Sequence, residues 1–279
     1  MVISLIQTSQ NRREELTRFV HSLNQQQGID FKDVQLIFVD QENNREVFRE
    51  LNKDVMFDYI QTQHCSLSHA RNLAIPLVKG KYVAFPDDDC WYEPDTLSQV
   101  LFILENEGYD GVSGKGTNKD GKLTSIFPDC ESTITSIRRC AAISYTMFFK
   151  FNQTVKFDEN MGVGSPYDLG AGEETDYMLN LIKEFNYRIK YSPDIIVHHP
   201  CTEDSLVTKE ALIKKAYSYA RGSGYLMQKH HFPFRYYVNQ FLRPLGGMIL
   251  YTLQFKKYHA KKSFLQFKGK LEGYYFTKF

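Results

Sequence analysis

Two spacings of apolar residues organise the first two hundred positions of the chain. Val2 to Gln7 is an apolar run of the length of a buried strand. Asn11-Arg12-Arg13-Glu14 follows as an N-cap with an acid three residues on, and Leu16, Phe19, Val20 and Leu23 then recur on one helical face. A second run, Val34 to Val39, ends on Asp40. Strand, helix and strand within forty residues predict a parallel βαβ unit.

The pattern then repeats. Ser68 can cap a helix whose inner face is Leu73, Ala74 and Leu77, Gly80 can end it, and Lys81 to Phe85 supplies the next strand. Asp87-Asp88-Asp89 falls just past that strand's carboxyl end, where open α/β sheets bind ligands. Pro94 starts another helix, with Leu97, Val100, Leu101 and Leu104 facing inward, and Asp110 to Ser113 returns to the sheet. Residues 114–140 read as loop, Ala142 to Lys150 as strand, and 162–172 as a Gly-rich approach to a helix from about Glu173 to Phe185. Tyr187 to Tyr191 and Ile195 to His198 read as two short strands. Beyond Pro200 come long helical windows rich in Tyr, Phe, Lys and Arg. The expectation is an α/β domain over residues 1–200, its central sheet mostly parallel and flanked by helices, and a helical tail over 201–279 that faces a membrane or the acceptor.

A chain of 279 residues with ordinary apolar and charged fractions can bury a large core, which excludes disorder. Its net charge of +1 conceals an asymmetry, because from residue 200 onward there are 14 Lys/Arg against 4 Asp/Glu. Five cysteines without a Cys-x-x-Cys pair argue against a disulfide framework or a structural zinc site and fit a reducing cytoplasm. The start carries no signal-peptide pattern, and the longest uncharged apolar run, Pro244 to Leu253, is too short to span a bilayer.

Three consecutive carboxylates repel one another unless a cation is near, and a hard divalent ion would relieve that repulsion while neutralising phosphate oxygens. A solvated acidic turn explains the same triplet, so it is the strand-end position that favours a metal. There is no Gly-x-x-x-x-Gly-Lys-Ser/Thr loop and no Gly-x-Gly-x-x-Gly turn after the first strand, so neither a P-loop nor a classical dinucleotide site is expected. Arg71, near a helix N-terminus, suits a diphosphate or a surface salt bridge; Asp40 suits a nucleoside hydrogen bond or a turn.

The motif order resembles the family 2 glycosyltransferases of bacterial surface-polysaccharide type. Gln7-Thr8-Ser9-Gln10-Asn11-Arg12 is similar to the family's opening Pro-Thr-Tyr-Asn-Arg segment, and Val39-Asp40-Gln41 to its Val-Asp-Asp strand end, with Gln41 replacing the second acid. Ser66 to Asn72 resembles its Gly-x-x-x-Ala-Arg-Asn helix start, and Phe85-Pro86-Asp87-Asp88-Asp89 its Asp-x-Asp metal motif. Phe157-Asp158-Glu159, Gly162-Val163-Gly164 and Gly172-Glu173-Glu174-Thr175-Asp176 resemble its Phe-Asp-Glu, Gly-x-Gly and Gly-Glu-Asp-x-Asp series, with Glu174 at a common Asp position.

The resemblance implies a GT-A fold and inverting transfer from a nucleoside-diphosphate sugar, expected to be a UDP-sugar, assisted by Mn²⁺ or Mg²⁺. It implies Glu174 as the base, Glu173 next, and Asp176 as a support. Thr8, Asn11, Arg12, Asp40, Gln41, His69, Arg71, Asp87 and Asp88 would contact the nucleotide sugar. Asp89 and Asp87 would hold the metal, with His198 a secondary ligand. Acids at a helix start also complement its dipole whatever their function. Tail segments such as Arg243 to Gly247 and Lys268 to Tyr274 resemble enzymes acting on polyprenyl-linked saccharides at the inner face of the cell membrane.

In the tail, Lys214-Lys215-Ala216-Tyr217-Ser218-Tyr219 and Phe255-Lys256-Lys257-Tyr258 mix rings and cations, as the headgroup zone of an anionic bilayer favours. A solvated helical hairpin is the other reading. No RNP, KH or zinc-knuckle pattern points to nucleic acid. The rival functions are a metal-dependent nucleotidylyltransferase, whose Gly-rich, Arg-containing N-terminal loop is missing, and a non-catalytic nucleotide-sugar or glycan binder, which would not need both the acidic triplet and Glu174.

Overall fold

The computed structural model describes residues 1–135, 143–201 and 208–276. Cys140 and the predicted strand start at Ala142 lie outside the described residues. The chain divides into two compact units, one of Met1–Cys65, His69–Lys156 and Tyr177–Ser205, the other of Ser66–Ser68, Phe157–Asp176 and Leu206–Phe279.

The first unit is built on one sheet. Its strands are β1 (Ile3–Ser9), β2 (Val34–Asp40), β3 (Met56–Gln61), β4 (Tyr82–Ala84), β5 (Trp91–Tyr92), β6 (Gly111–Thr117), β7 (Ser132–Ile134), β8 (Met147–Lys150) and β9 (Ile189–His198). They lie in the order β3-β2-β1-β4-β8-β6-β9-β5, with β7 on β9. The β3-β2-β1-β4 half is parallel, as the βαβ pattern predicts. Beyond it β8 runs antiparallel to β4 and β6, and β5 and β7 run antiparallel to β9, so the sheet as a whole is mixed. Every residue of β1 and β2 is buried, which is why these strands read as largely apolar runs with no polar-out alternation.

The helices are α1 (Arg13–Asn24), α2 (Leu67–Ala74), α3 (Thr96–Asn106), α4 (Glu173–Phe185), α5 (Lys209–Lys229), α6 (Phe234–Leu253) and α7 (Lys257–Tyr274). Leu16, Phe19 and Leu23 of α1 and Leu97 and Val100 of α3 join Leu5 and Leu36 in the core. The predicted cap at Asn11 does not form: Asn11 takes a left-handed φ of 56°, and Arg12 occupies the cap position without a side-chain cap bond. The helix before β4 stops at Ala74 rather than at Gly80, giving way to a 3₁₀ turn at Ile75–Leu77 that contains Pro76, whose missing N–H cannot continue the helix ladder. The two short strands predicted after Phe185 are one. Pro193 lies within β9, and β6 shifts register between Ser113 and Lys115 to accommodate it.

In the second unit α5, α6 and α7 pack together. The backbones of α5 and α7 approach so closely that a Cβ on Gly273 would overlap the Arg221 carbonyl, and one on Gly224 the Lys270 carbonyl. Phe241 of α6 meets Phe267 of α7 edge to face, their centroids 5.8 Å apart, and Lys270 donates to Gln240 Oε1 at 2.6 Å. Among the described residues no helix is long and apolar enough to cross a membrane.

Candidate active site

The carboxyl ends of β1 and β4 bring a small set of charged groups together in the first unit. After buried Phe85 the chain turns through Asp87-Asp88-Asp89. Gln7 Nε2 donates to the Asp87 carbonyl at 3.3 Å, and Ser9 Oγ donates to Asp88 Oδ2 at 2.7 Å. Arg12 pairs with Asp89 and lies 3.6 Å from Asp88. Arg71, a fully buried guanidinium on α2, donates to Asp87 Oδ1 at 2.9 Å, and Ser144 Oγ donates to the same oxygen at 3.0 Å. His199 Nε2 lies 2.8 Å from Asp89 Oδ1 and 4.0 Å from Asp87 Oδ2. Its ring is stacked on Tyr145 with centroids 4.6 Å apart.

The electrostatics follow from this packing. Burial pushes the Asp88 carboxyl up to about 6, although Arg12 and Ser9 oppose the rise. Burial acts the same way on Asp89, but the hydrogen bond and charge of His199, with Arg12, outweigh it and hold this carboxyl below its ordinary value. His199 is raised because Asp89 and Asp87 overcome the effect of burial.

Asp87, Asp89 and His199 offer donor atoms that all lie within 4.8 Å of one another. Two carboxylate oxygens and an imidazole suit Mn²⁺ or Mg²⁺, and three protein donors leave coordination positions for phosphate oxygens and water. The residues present therefore fit the ion that the sequence implies.

The histidine of this group is not the predicted one. His198 Nε2 lies 2.6 Å from Glu93, its Nδ1 lies 3.0 Å from Thr117 Oγ1, and its ring stacks on Trp91. Successive residues of a strand point to opposite faces, so His198 at the end of β9 turns away and His199 turns toward the aspartates.

Asp40, read as a nucleoside contact or a turn residue, is built into the turn after β2. It is fully buried and accepts from the Glu42 and Asn44 backbone N–H groups, the Asn44 side chain and the Tyr59 hydroxyl, which makes it the turn residue that was its other reading. Burial and the Asp40 hydrogen bond push the Tyr59 phenol up to about 12.

Gln41 Oε1 accepts from Gln10 Nε2 at 2.9 Å and from the Cys65 N–H at 2.7 Å, tying the ends of β1 and β2 to the segment after β3. Thr8 is buried on β1, Asn11 is exposed, and His69 is half-buried on α2. Ser9, Ser144 and Tyr145 carried no signal of their own in the sequence.

The second unit holds the acids of α4. Ser68 Oγ donates to the Met161 carbonyl at 2.7 Å, and Gly162, at φ +96°, allows that turn to lie against Glu173: an added Cβ would come within 2.9 Å of Ser68 Oγ and 3.1 Å of Glu173 Cδ. Glu173 is buried and Glu174 half-buried. Asp176 is fully buried between two side chains at the end of α5, Lys229 Nζ at 2.9 Å and His230 Nε2 at 2.8 Å. Lys229 also reaches Asp158 at 2.7 Å, and Tyr225 donates to the same Asp158 oxygen at 3.1 Å. Burial opposes ionisation of Asp158, yet Lys229 and Asn160 hold it below the usual carboxylate range.

Replacing Lys229 by Met would strip one partner from each of two carboxylates, and breaking such buried pairs costs about 3 kcal/mol. The expected result is a melting midpoint lower by roughly 10 °C in calorimetry, most of it recovered in Lys229→Arg. A fall of less than about 2 °C in Lys229→Met would show that this pairing does not hold the unit together.

A mixed α/β sheet that gathers two carboxylates, an imidazole and two guanidinium groups beyond the carboxyl ends of its strands has the arrangement in which open α/β sheets bind ligands. Residues 4–167 match the profile described as Glycosyl transferase family 2, and the chain belongs to that family.

Over 130 residues it is 26% identical to the UDP-Glc:alpha-D-GlcNAc-diphosphoundecaprenol beta-1,3-glucosyltransferase WfaP of Escherichia coli, a match spanning 45% of this chain and 51% of that one. The chain thus spans about half the length of this curated relative. Among solved structures it is similar to S. aureus TarS 1–349 in complex with UDP-GlcNAc, with TM-score 0.59, 15% identity and 98% of this chain and 91% of that chain covered. It is likewise similar to the Pyrobaculum calidifontis mannosyltransferase PcManGT in complex with GDP-Man and Mn²⁺, with TM-score 0.56, 14% identity and coverage of 97% and 73%. These structures show a shared GT-A fold.

Proposed function

We propose that the protein is an inverting, metal-dependent glycosyltransferase that moves a sugar from a UDP-sugar to a saccharide or polyprenyl-linked saccharide during surface-polysaccharide synthesis, at the inner face of the cell membrane. The observation that carries this reading is the Asp87, Asp89 and His199 donor set with Arg71 hydrogen-bonded to Asp87. UDP-GlcNAc bound to TarS supports a UDP donor, and the lipid-linked substrate in the name of WfaP supports the acceptor class.

In this reading Asp87, Asp89 and His199 hold a divalent ion, which when bound supplies positive charge to the diphosphate of the donor. Arg12, half-exposed beside Asp88 and Asp89, adds a second charge that can follow the phosphates. Glu174 takes the proton of the acceptor hydroxyl as that oxygen attacks the anomeric carbon; the bond to the diphosphate oxygen breaks, and UDP leaves with the electron pair. Asp176, held by Lys229 and His230, fixes the first turn of α4 and with it Glu174.

Calorimetric titration of UDP with and without Mn²⁺ tests the reading. Wild-type protein is expected to bind UDP in a Mn²⁺-dependent way. His199→Ala should weaken that binding by about 10- to 100-fold, whereas His198→Ala should leave it within about threefold. UDP binding that ignores Mn²⁺, or that depends on His198 rather than His199, would overturn the metal assignment.

A further inference from the structure

α6 has two unlike faces. Buried Pro244, Phe241 against Phe267 and Gly247 against Ser263 turn one face onto α7. On the other, Leu242, Gly246, Ile249 and Leu253 follow a spacing of four, three and four and are exposed, together with Leu250 and the following Phe255. Leu253 is 73% and Phe255 89% exposed, a large apolar area to leave in water. Exposed Arg243, Lys256, Lys257 and Lys261 flank this stripe, and residues 231–271 contain 8 Lys/Arg and no Asp or Glu.

On α5 two of the residues that look equally suited to a bilayer in sequence, Tyr217 and Arg221, are engaged within the unit, while Lys214, Lys215 and Tyr219 stay exposed. Tyr217 donates to Glu272 of α7, and Arg221 lies against Tyr217.

We propose that the distal half of α6, from Leu242 through Phe255, lies in the plane of an anionic lipid bilayer, with its apolar stripe in the acyl boundary and its Lys and Arg residues among the phosphate headgroups. A second copy of this chain is the poorer occupant: a two-fold contact through this face would set basic groups against their own copies. An anionic lipid surface satisfies the apolar stripe and the cations together. The proposal deepens the reading above by giving the enzyme a defined face toward a lipid-held acceptor, but it is measured without sugar transfer.

The test is flotation of the full chain with vesicles of phosphatidylcholine alone or mixed with phosphatidylglycerol. Wild type should float with the mixed vesicles and bind phosphatidylcholine at least about tenfold more weakly. The triple variant Leu250→Ser, Leu253→Ser, Phe255→Ser should lose about a hundredfold in partition. Lys256→Gln with Lys257→Gln should lose the preference for phosphatidylglycerol while keeping the residual apolar binding. These positions are exposed, so each variant should keep the wild-type melting midpoint and, where the UDP reading holds, wild-type UDP binding; those two controls separate a failed fold or a failed donor assignment from a failed docking face. Wild type that does not float, a triple variant that floats as wild type does, or light scattering that shows a dimer dissociated by the triple variant would each overturn the proposal.

Discussion

Asp89→Ala is expected to abolish Mn²⁺-dependent UDP binding and to lower sugar transfer by about three orders of magnitude or more. Asp89 is where the electrostatics of the site converge, because its carboxylate faces both Arg12 and His199 and is one of three groups able to share an ion. Removing it takes away one of the three candidate donors and leaves Arg12 and His199 without their shared carboxylate partner. Residual UDP binding in the variant should therefore be independent of Mn²⁺ and fall steeply with salt, since the freed Arg12 guanidinium still attracts phosphate. Titration at two salt concentrations with donor hydrolysis in parallel measures both effects. A variant that keeps Mn²⁺-dependent UDP binding within about threefold of wild type would remove Asp89 from the site.

Glu174→Gln is expected to do the opposite: donor affinity stays near wild type, while transfer to a polyprenyl-diphosphate-linked saccharide falls by about a thousandfold. Gln keeps the shape and a hydrogen-bonding carbonyl but cannot accept the proton, so the loss belongs to kcat rather than to donor binding. Glu173 is buried beside Gly162 and Ser68, and the same substitution there should act through the placement of the turn, with a smaller effect on kcat. An active Glu174→Gln enzyme with an inactive Glu173→Gln enzyme would exchange the two roles.

The first two strands of the parallel half were legible because burial on both faces writes a strand as a largely apolar run, and α4 was legible from its Gly-rich approach and the acids of its first turn. The choice between His198 and His199 was not. Parity along a strand can be counted only when its course is known, and β9 continues through Pro193 where the sequence suggests a break. Asp40 ends its strand as read, but what occupies its oxygens is decided in part by Tyr59 on β3, a half-exposed strand with little apolar signal. The pairing of Lys229 with Asp158 and Asp176 joins residues 71 and 53 positions apart, a separation at which no local pattern carries information. Helical windows in the tail could be read, whereas the open face of α6 is defined only by what α7 covers.

The anchoring of Asp176 bears on how far this chain can be shortened. Both of its partners, Lys229 and His230, come from the end of α5, more than fifty positions along the chain, yet they serve a carboxylate with no access to water. A protein cut near residue 200 would retain Asp176 and Asp158 and discard Lys229 and His230. Such a fragment would have to protonate those acids or open the turn before α4 to hydrate them. The acids at 158 and 176 therefore belong with the helices from Lys209 onward, in one compact unit, and a boundary drawn at residue 200 would cut through that unit rather than beside it.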